Sequence, residues 1–219
     1  MLRRTALAAS AAVLVLGGLA VTAGPAFAGK VALGDATGSV TCNTTGKVKI
    51  SPALSDINTQ PSTTTAKTKS TSCTSSGGTI GAHQITGSKG TSTSVGTGPG
   101  TCSGLLTPGT SPFTTTIKLK ASGATLNPSN ITFANNGPSG IGFDLPSNGA
   151  AGAATSVITG SFAGETAWAH ADADAGPILA AIADVGPTAT GKGCGANAKG
   201  KAKGIKKVTI IGGHTTIAP

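Results

Sequence analysis

Aromatic and charged side chains are scarce in this sequence. Only 3% of its 219 residues are aromatic, with one tryptophan and no tyrosine, and 11% are charged. Protein faces that bind sugars usually offer aromatic rings with a polar handle, so a carbohydrate platform of that kind is disfavoured. The shortage of large side chains also predicts a thin core made of Val, Ile, Leu and Ala with Phe113, Phe133, Phe143 and Phe162.

The motifs of several common enzyme classes are missing as well. There is no G-x-S-x-G nucleophile elbow, and Gly137-Pro138-Ser139-Gly140 has a different spacing. The glycine clusters at Gly96–Gly100 and Gly191–Gly195 lack the strand-turn-helix context of a phosphate-binding loop, so we interpret them as turns. Nothing marks a catalytic pair for glycoside hydrolysis among the 7 acidic residues.

One long apolar run is present, at the start of the chain. Residues 1–28 combine a basic start at Arg3 and Arg4, an apolar stretch and a small-residue exit at Ala26-Phe27-Ala28. This pattern predicts a signal peptide that is cleaved after residue 28, and its glycines argue against a membrane-spanning helix. We therefore expect a secreted, extracellular protein in which residues 29–219 form a single β-rich domain without a transmembrane segment.

The cysteines predict how such a thin core is stabilised. All four, Cys42, Cys73, Cys102 and Cys194, lie in the part expected to be exported. An even number in an oxidising compartment predicts two disulfides, for which three connectivities are open. We favour Cys73–Cys102, which are neighbours along the chain, and Cys42–Cys194, which join its two ends. A zinc site is disfavoured because no pair has C-x-x-C spacing, and no cofactor is expected.

Short β-like runs alternate with Gly, Pro, Asn or Ser breaks along the exported part. Residues 113–120 and 47–50 alternate apolar and polar side chains, which is typical of half-buried antiparallel strands. Several such strands at close spacing predict an all-β fold, an antiparallel β-sandwich or barrel-like domain stapled by disulfides. Residues 60–72 are threonine-rich, and periodicity leaves open whether they form an edge strand or a loop.

One short helix is predicted near the end of the chain. Pro177 suits a first helical position, Ile178, Ile182 and Val185 have helical spacing, and Gly186-Pro187 ends the run. After a loop rich in Gly, Lys and Ala, residues 208–211 are predicted to form the last strand, in a central position.

The best candidate for a reactive site is the group Trp168, His170, Asp172 and Asp174. Their spacing of two places them on one face if the segment is a strand. They could form a metal site or a general acid/base group. They could equally be structural, with Trp168 in the core and the aspartates solvated at the strand end. We favour the structural interpretation, because no second His or Glu motif accompanies them, and assign no catalytic or metal-binding residue.

Positive charge is the remaining lead to function. Taking Arg3 and Arg4 from the 16 basic residues leaves 14 lysines against 7 acidic residues. Six lysines follow one another near the C-terminus without an intervening acid: Lys192, Lys199, Lys201, Lys203, Lys206 and Lys207. Such a loop attracts anionic polymers, although it can also be merely solvated. Lysine without arginine or aromatics is poorly suited to reading bases, so nucleic acid is not expected as a partner.

Several segments together resemble small exported proteins of actinobacteria. They are the signal peptide, the β-run around Cys42, the Cys73–Cys102 segment, Thr116-Ile117-Lys118-Leu119-Lys120, Gly160-Ser161-Phe162-Ala163-Gly164 and Lys206-Lys207-Val208-Thr209-Ile210. The resemblance covers most of the exported part and implies secretion and a β-rich fold. It carries over no functional residue.

Two functional hypotheses follow from these features. The favoured one is a secreted, non-enzymatic binding or structural protein of the cell envelope that docks on anionic wall polymers through its lysine-rich loop. The alternative is a secreted hydrolase or metal-dependent enzyme that uses His170 with Asp172 or Asp174.

Overall fold

The computed structural model describes residues 29–103, 113–133, 143–144 and 155–219. The predicted signal peptide, residues 1–28, lies outside the described residues. Within them the chain forms strands, a 3₁₀ turn at Ile80–Ala82 and one α-helix, α1, at Ala175–Ala183. The strands are β1 (Val31–Leu33), β2 (Ser39–Leu54), β3 (Pro61–Ser76), β4 (Ile85–Pro99), β5 (Phe113–Ala121), β6 (Ala124–Leu126), β7 (Ser129–Phe133), β8 (Phe143–Asp144), β9 (Thr155–Thr159), β10 (Thr166–Ala173) and β11 (Ile205–Ala218).

Nine of these strands form one curled sheet. The order of hydrogen-bonded neighbours is β11-β2-β3-β4-β5-β7-β9-β10-β8, and β10 pairs a second time, with β11. The pairings are antiparallel except that of β8, which runs parallel to β10. β1 and β6 form a separate small parallel sheet. The predicted all-β, mostly antiparallel, barrel-like fold is therefore confirmed.

The predicted helix and last strand are both present. α1 begins two residues before Pro177, its predicted first residue, and Ile178 is its buried residue. Val185, predicted to belong to the helix, lies beyond its end and is 45% exposed. β11 lies between β2 and β10, so the last strand is central, as expected.

The larger hydrophobic cluster lies on the inner side of the curled sheet. Buried residues of eight strands meet there, and Phe162, Ile131 and Ile217 expose 2% of their surface or less. Phe162 thus belongs to the core as predicted. The side chains of Phe113, Phe133 and Phe143 fall outside the described part of the chain.

A second hydrophobic cluster packs beneath α1. It brings Val48 of β2, Val208 and Ile210 of β11 and Ile178 of α1 together with Cys194. The helix packs against the sheet through Ile178. This contact stabilises a nine-residue helix that would be marginal in isolation.

Strand β11 serves both clusters because a bulge lets residues of opposite parity face the same side of the sheet. Val208 and Ile210 are buried in its first half and Ile217 in its second, at positions of opposite parity. The register with β2 shifts between Ile210 and His214, so one residue is inserted there. Gly213 lies in the shift with a φ of 133°, a conformation that favours glycine.

The threonine-rich stretch belongs, from residue 61 on, to β3, a central strand between β2 and β4. Ser62 and Ser70 occupy buried positions on it, so apolar periodicity gives no signal. The Gly96–Gly100 cluster is not the predicted turn. β4 continues through it to Pro99, which pairs with Pro61.

The chain contains two disulfides, but their pairing differs from the prediction. Cys42 bonds to Cys73, with 4.1 Å between their Cα atoms, and Cys102 bonds to Cys194, with 6.0 Å between theirs. The predicted pairs Cys73–Cys102 and Cys42–Cys194 are therefore wrong.

The strand register explains this correction. Cys42 and Cys73 face each other on neighbouring strands β2 and β3. Cys102 follows Pro99, which pairs with Pro61 at the opposite end of β3. A strand from Pro61 to Cys73 spans about 40 Å, far beyond the reach of a disulfide.

Candidate anion-binding surface

The six C-terminal lysines form what we call the basic segment, residues 192–207. All six are exposed. Lys206 and Lys207 belong to β11, whereas the other four lie in the loop between α1 and β11. Among the described side chains the one contact of a carboxylate with a basic group is that of Asp172 Oδ1 with His170 Nε2, so no carboxylate described there neutralises these lysines.

Backbone hydrogen bonds fold the basic segment back on itself. Lys203 N donates to Gly191 O and Gly204 N donates to Gly193 O, each at 2.9 Å. The two arms of the loop therefore run side by side, with the Cys194 disulfide at their base.

An asparagine turn closes the tip of the segment. Asn197 Oδ1 accepts hydrogen bonds from Lys199 N at 3.0 Å and Lys201 N at 3.2 Å. Asn197 N in turn donates to Lys201 O at 3.0 Å. This geometry sets the backbone from which Lys199 and Lys201 project.

Asp184, at the end of α1, anchors the start of the segment. Its carboxylate accepts hydrogen bonds from Thr190 N at 2.6 Å, Gly193 N at 2.7 Å and Thr190 Oγ1 at 3.1 Å. The amides of Thr190 and then Gly193 stabilise the charged form and lower the pKa of Asp184 below its usual value of 3.8. The sequence offers no motif for this role, because the partners lie six and nine residues further on.

Replacing Asp184 by asparagine is expected to loosen the start of the basic segment. The uncharged amide keeps one acceptor oxygen but turns an NH₂ group toward the amide donors of Thr190 and Gly193. Hydrogen-exchange protection of those two amides should fall several-fold at neutral pH.

The wild-type protein should lose the same protection in acid. A carboxyl with a lowered folded-state pKa contributes stability that is present above its unfolded pKa and is lost as the pH falls through its folded pKa, here below 3.8. Asp35→Asn, the same change at an exposed carboxylate between β1 and β2, serves as the control variant. Unchanged protection at Thr190 and Gly193 in Asp184→Asn would contradict the anchoring role.

Sequence reasoning gave no role to the lysines of strands β2 to β5. Those of β2 to β5 are all exposed: Lys47, Lys49, Lys67, Lys69, Lys89, Lys118 and Lys120. Their signal in the sequence is a repeated Lys-x-Lys spacing, at 47–49, 67–69 and 118–120. This spacing puts both lysines of each pair on one face of a strand.

The other candidate group is only partly brought together. His170 Nε2 lies 2.6 Å from Asp172 Oδ1, whereas Asp174 lies beyond the end of β10. His214, which sequence reasoning missed, pairs with His170 across β10 and β11, with 5.7 Å between the ring centroids. Trp168 is 53% exposed, so its predicted place in the core is wrong.

Neither a metal cluster nor a membrane-spanning helix emerges from the described ranges. No group of three or more His, Cys, Asp or Glu side chains there is arranged to hold a metal ion. Likewise, no helix within those ranges is long and apolar enough to cross a bilayer.

Comparison with known proteins adds no relative. No family model matches the chain, and no curated protein or solved structure matches it either.

Proposed function

We propose that this is a secreted, non-enzymatic protein of the cell envelope that binds anionic wall polymers with its lysines. One observation carries the proposal: the described lysines project into solvent, and none of them is paired with a carboxylate among the described side chains. A surface of this kind attracts polyanions and releases their counterions on binding.

The arrangement of the basic segment supports this role. Its four loop lysines project from a backbone held by the Cys102–Cys194 disulfide, the Asn197 turn and the Asp184 carboxylate. A pre-ordered backbone lowers the entropy lost on binding a polymer. Export fits the two disulfides, which are typical of proteins that fold in an oxidising compartment.

The alternative, a hydrolase built on His170, has the short contact to Asp172 in its favour. A carboxylate that orients an imidazole is half of a general-base arrangement. The partner ring beside His170 is a second histidine, His214, and not a nucleophile. The polymer-binding function is therefore the better supported of the two.

Co-sedimentation of the purified, oxidised protein with isolated cell walls tests the proposal. We expect binding at about 50 mM salt and its loss at about 500 mM, because the screening length falls from roughly 14 Å to under about 5 Å. The variant His170→Ala should bind as the wild type does, which separates this function from the enzymatic one. Absence of binding at both salt concentrations would overturn the proposal.

A further inference from the structure

A second group of lysines, which shares Lys207 with the basic segment, lies on the outer face of the curled sheet, where the strand register joins them into a continuous band. Its first half crosses β11, β2 and β3. Lys207 faces Lys49 on the neighbouring strand. Lys47, two residues from Lys49 on β2, faces Lys67 on β3.

The second half continues in the same direction across β3, β4 and β5. Lys69 lies two residues beyond Lys67 on β3 and faces Lys89 on β4. Lys89 in turn faces Lys118 on β5. Lys120 follows two residues further along β5. We call these eight exposed residues the lysine band: Lys207, Lys49, Lys47, Lys67, Lys69, Lys89, Lys118 and Lys120.

The band is a diagonal track of closely spaced charges. Neighbouring strands lie about 4.8 Å apart, and two residues along a strand advance about 6.6 Å. Four steps across the sheet and three steps along it amount to about 28 Å if the sheet is laid flat. Its shape therefore suits an extended, linear polyanion better than a single small anion.

The band contains like charges in direct opposition without compensation by acids. Four cross-strand contacts pair lysine with lysine, and such pairs destabilise a sheet. None of the seven acidic residues belongs to β2, β3, β4 or β5. A bound polyanion would relieve this repulsion, since it supplies the missing negative charge along the whole track.

Two grooves beside the band indicate what else the polymer carries. The first, of about 480 Å³, is lined by Lys47, Lys49, Lys67 and Lys69 together with threonines. The second, of about 500 Å³, shares Thr45 and Lys69 with it and is otherwise lined mainly by hydroxyl and amide side chains such as those of Asn43, Thr71 and Ser72. Ammonium groups next to hydroxyl groups match a chain in which charged groups alternate with polar, hydroxyl-bearing units.

We infer that the lysine band is a binding track for an extended phosphate-bearing polymer, such as a phosphodiester-linked polyol chain. Lysine binds phosphate as a point charge and does not need the two-pronged geometry that arginine offers. Neither groove beside the band is lined by an aromatic side chain on which a nucleobase could stack. The inference rests on the proposed function and assigns its main contact surface to the sheet rather than to the loop of the basic segment.

Two variants that each remove four lysines test this assignment. The band variant combines Lys47→Gln, Lys67→Gln, Lys69→Gln and Lys89→Gln. The matched control combines Lys192→Gln, Lys199→Gln, Lys201→Gln and Lys203→Gln. Because both lower the net charge by four and change only exposed side chains, a difference between them reports on position and not on total charge. Far-UV circular dichroism and thermal unfolding confirm that each variant is folded.

Titration with long-chain inorganic polyphosphate at about 100 mM salt is the measurement. We expect the band variant to bind at least about 30-fold more weakly than the wild type, since each lysine close to an anionic surface contributes several-fold. The slope of log affinity against log salt should become shallower by about 3. The affinity of the control should stay within about 3-fold of the wild-type affinity at this salt. Its slope of log affinity against log salt should change less than that of the band variant.

Each other outcome has a distinct meaning. Equal losses in both variants would show that only net charge matters and would overturn the inference. A loss in the control alone would also overturn it while leaving the proposed function intact. No polyphosphate binding by the wild type, together with no wall binding, would overturn both. Tighter binding of single-stranded DNA or of anionic lipid vesicles than of polyphosphate would overturn the choice of polymer.

Discussion

Removal of the Cys102–Cys194 disulfide by a double substitution to alanine is expected to lower the free energy of unfolding by about 4.6 kcal/mol. The bond joins residues separated by 92 positions, so its loss restores much conformational freedom to the unfolded chain. Cys102 and Cys194 are also buried in the cluster beneath α1, so the folded state loses packing as well. Urea unfolding monitored by circular dichroism measures the effect.

The other disulfide provides the comparison. Cys42–Cys73 joins residues 31 positions apart. Replacing both cysteines by alanine should lower the free energy of unfolding by about 3.7 kcal/mol. Only the loss of Cys102–Cys194 should also reduce hydrogen-exchange protection in the basic segment, because Cys194 lies at its base. A larger destabilisation from removing Cys42–Cys73 would contradict the loop-closure account. Peptide mapping of the oxidised protein checks the pairing itself.

Phe162→Ala is expected to destabilise the protein by about 3–5 kcal/mol, the usual cost of removing a buried aromatic ring from a core. Phe162 is 1% exposed and belongs to the cluster inside the curled sheet. Its neighbour Ser161 donates from Oγ to Leu33 O at 3.0 Å and accepts from Asn127 N at 2.7 Å. The turn that carries Phe162 therefore also holds the small β1–β6 sheet to the main one.

Trp168→Ala is the matched control for that substitution. It removes a still larger aromatic side chain, but from an exposed position on β10, so its cost should stay below about 1 kcal/mol. The denaturant midpoints of the two variants give their difference in stability when the free energy of unfolding falls with denaturant at the same slope in both. Similar losses of stability in both variants would contradict the assignment of the core.

The alternation of side chains was enough to predict the fold class and the burial within two strands. On β5, Ile117 is buried while Lys118 is exposed, and on β2 the buried Val48 and Ile50 alternate with the exposed Lys47 and Lys49, as expected. The burial pattern of β3 could not be predicted from apolar alternation, because serines occupy its buried positions. The bulge at Gly213 could not be predicted either, because an inserted residue reverses the periodicity on which the prediction depends.

The surface of the molecule was harder to predict than its core. The Lys-x-Lys pairs fix which lysines share a face within one strand, but the band exists only because the register sets Lys47 opposite Lys67 and Lys69 opposite Lys89. Register is a tertiary property that a single sequence does not encode locally. The disulfide pairing failed for the same reason, since nearness along the chain does not determine which ends of long strands meet.

The salt dependence of polyphosphate binding by the wild-type protein tests the central claim most directly. If the eight lysines of the band each contact a phosphate, log affinity should fall linearly with log salt with a slope of about −5 to −6, the value for an extended single-stranded polyanion. A slope near zero, or no binding at low salt, would contradict the claim that unpaired lysines bind an anionic polymer.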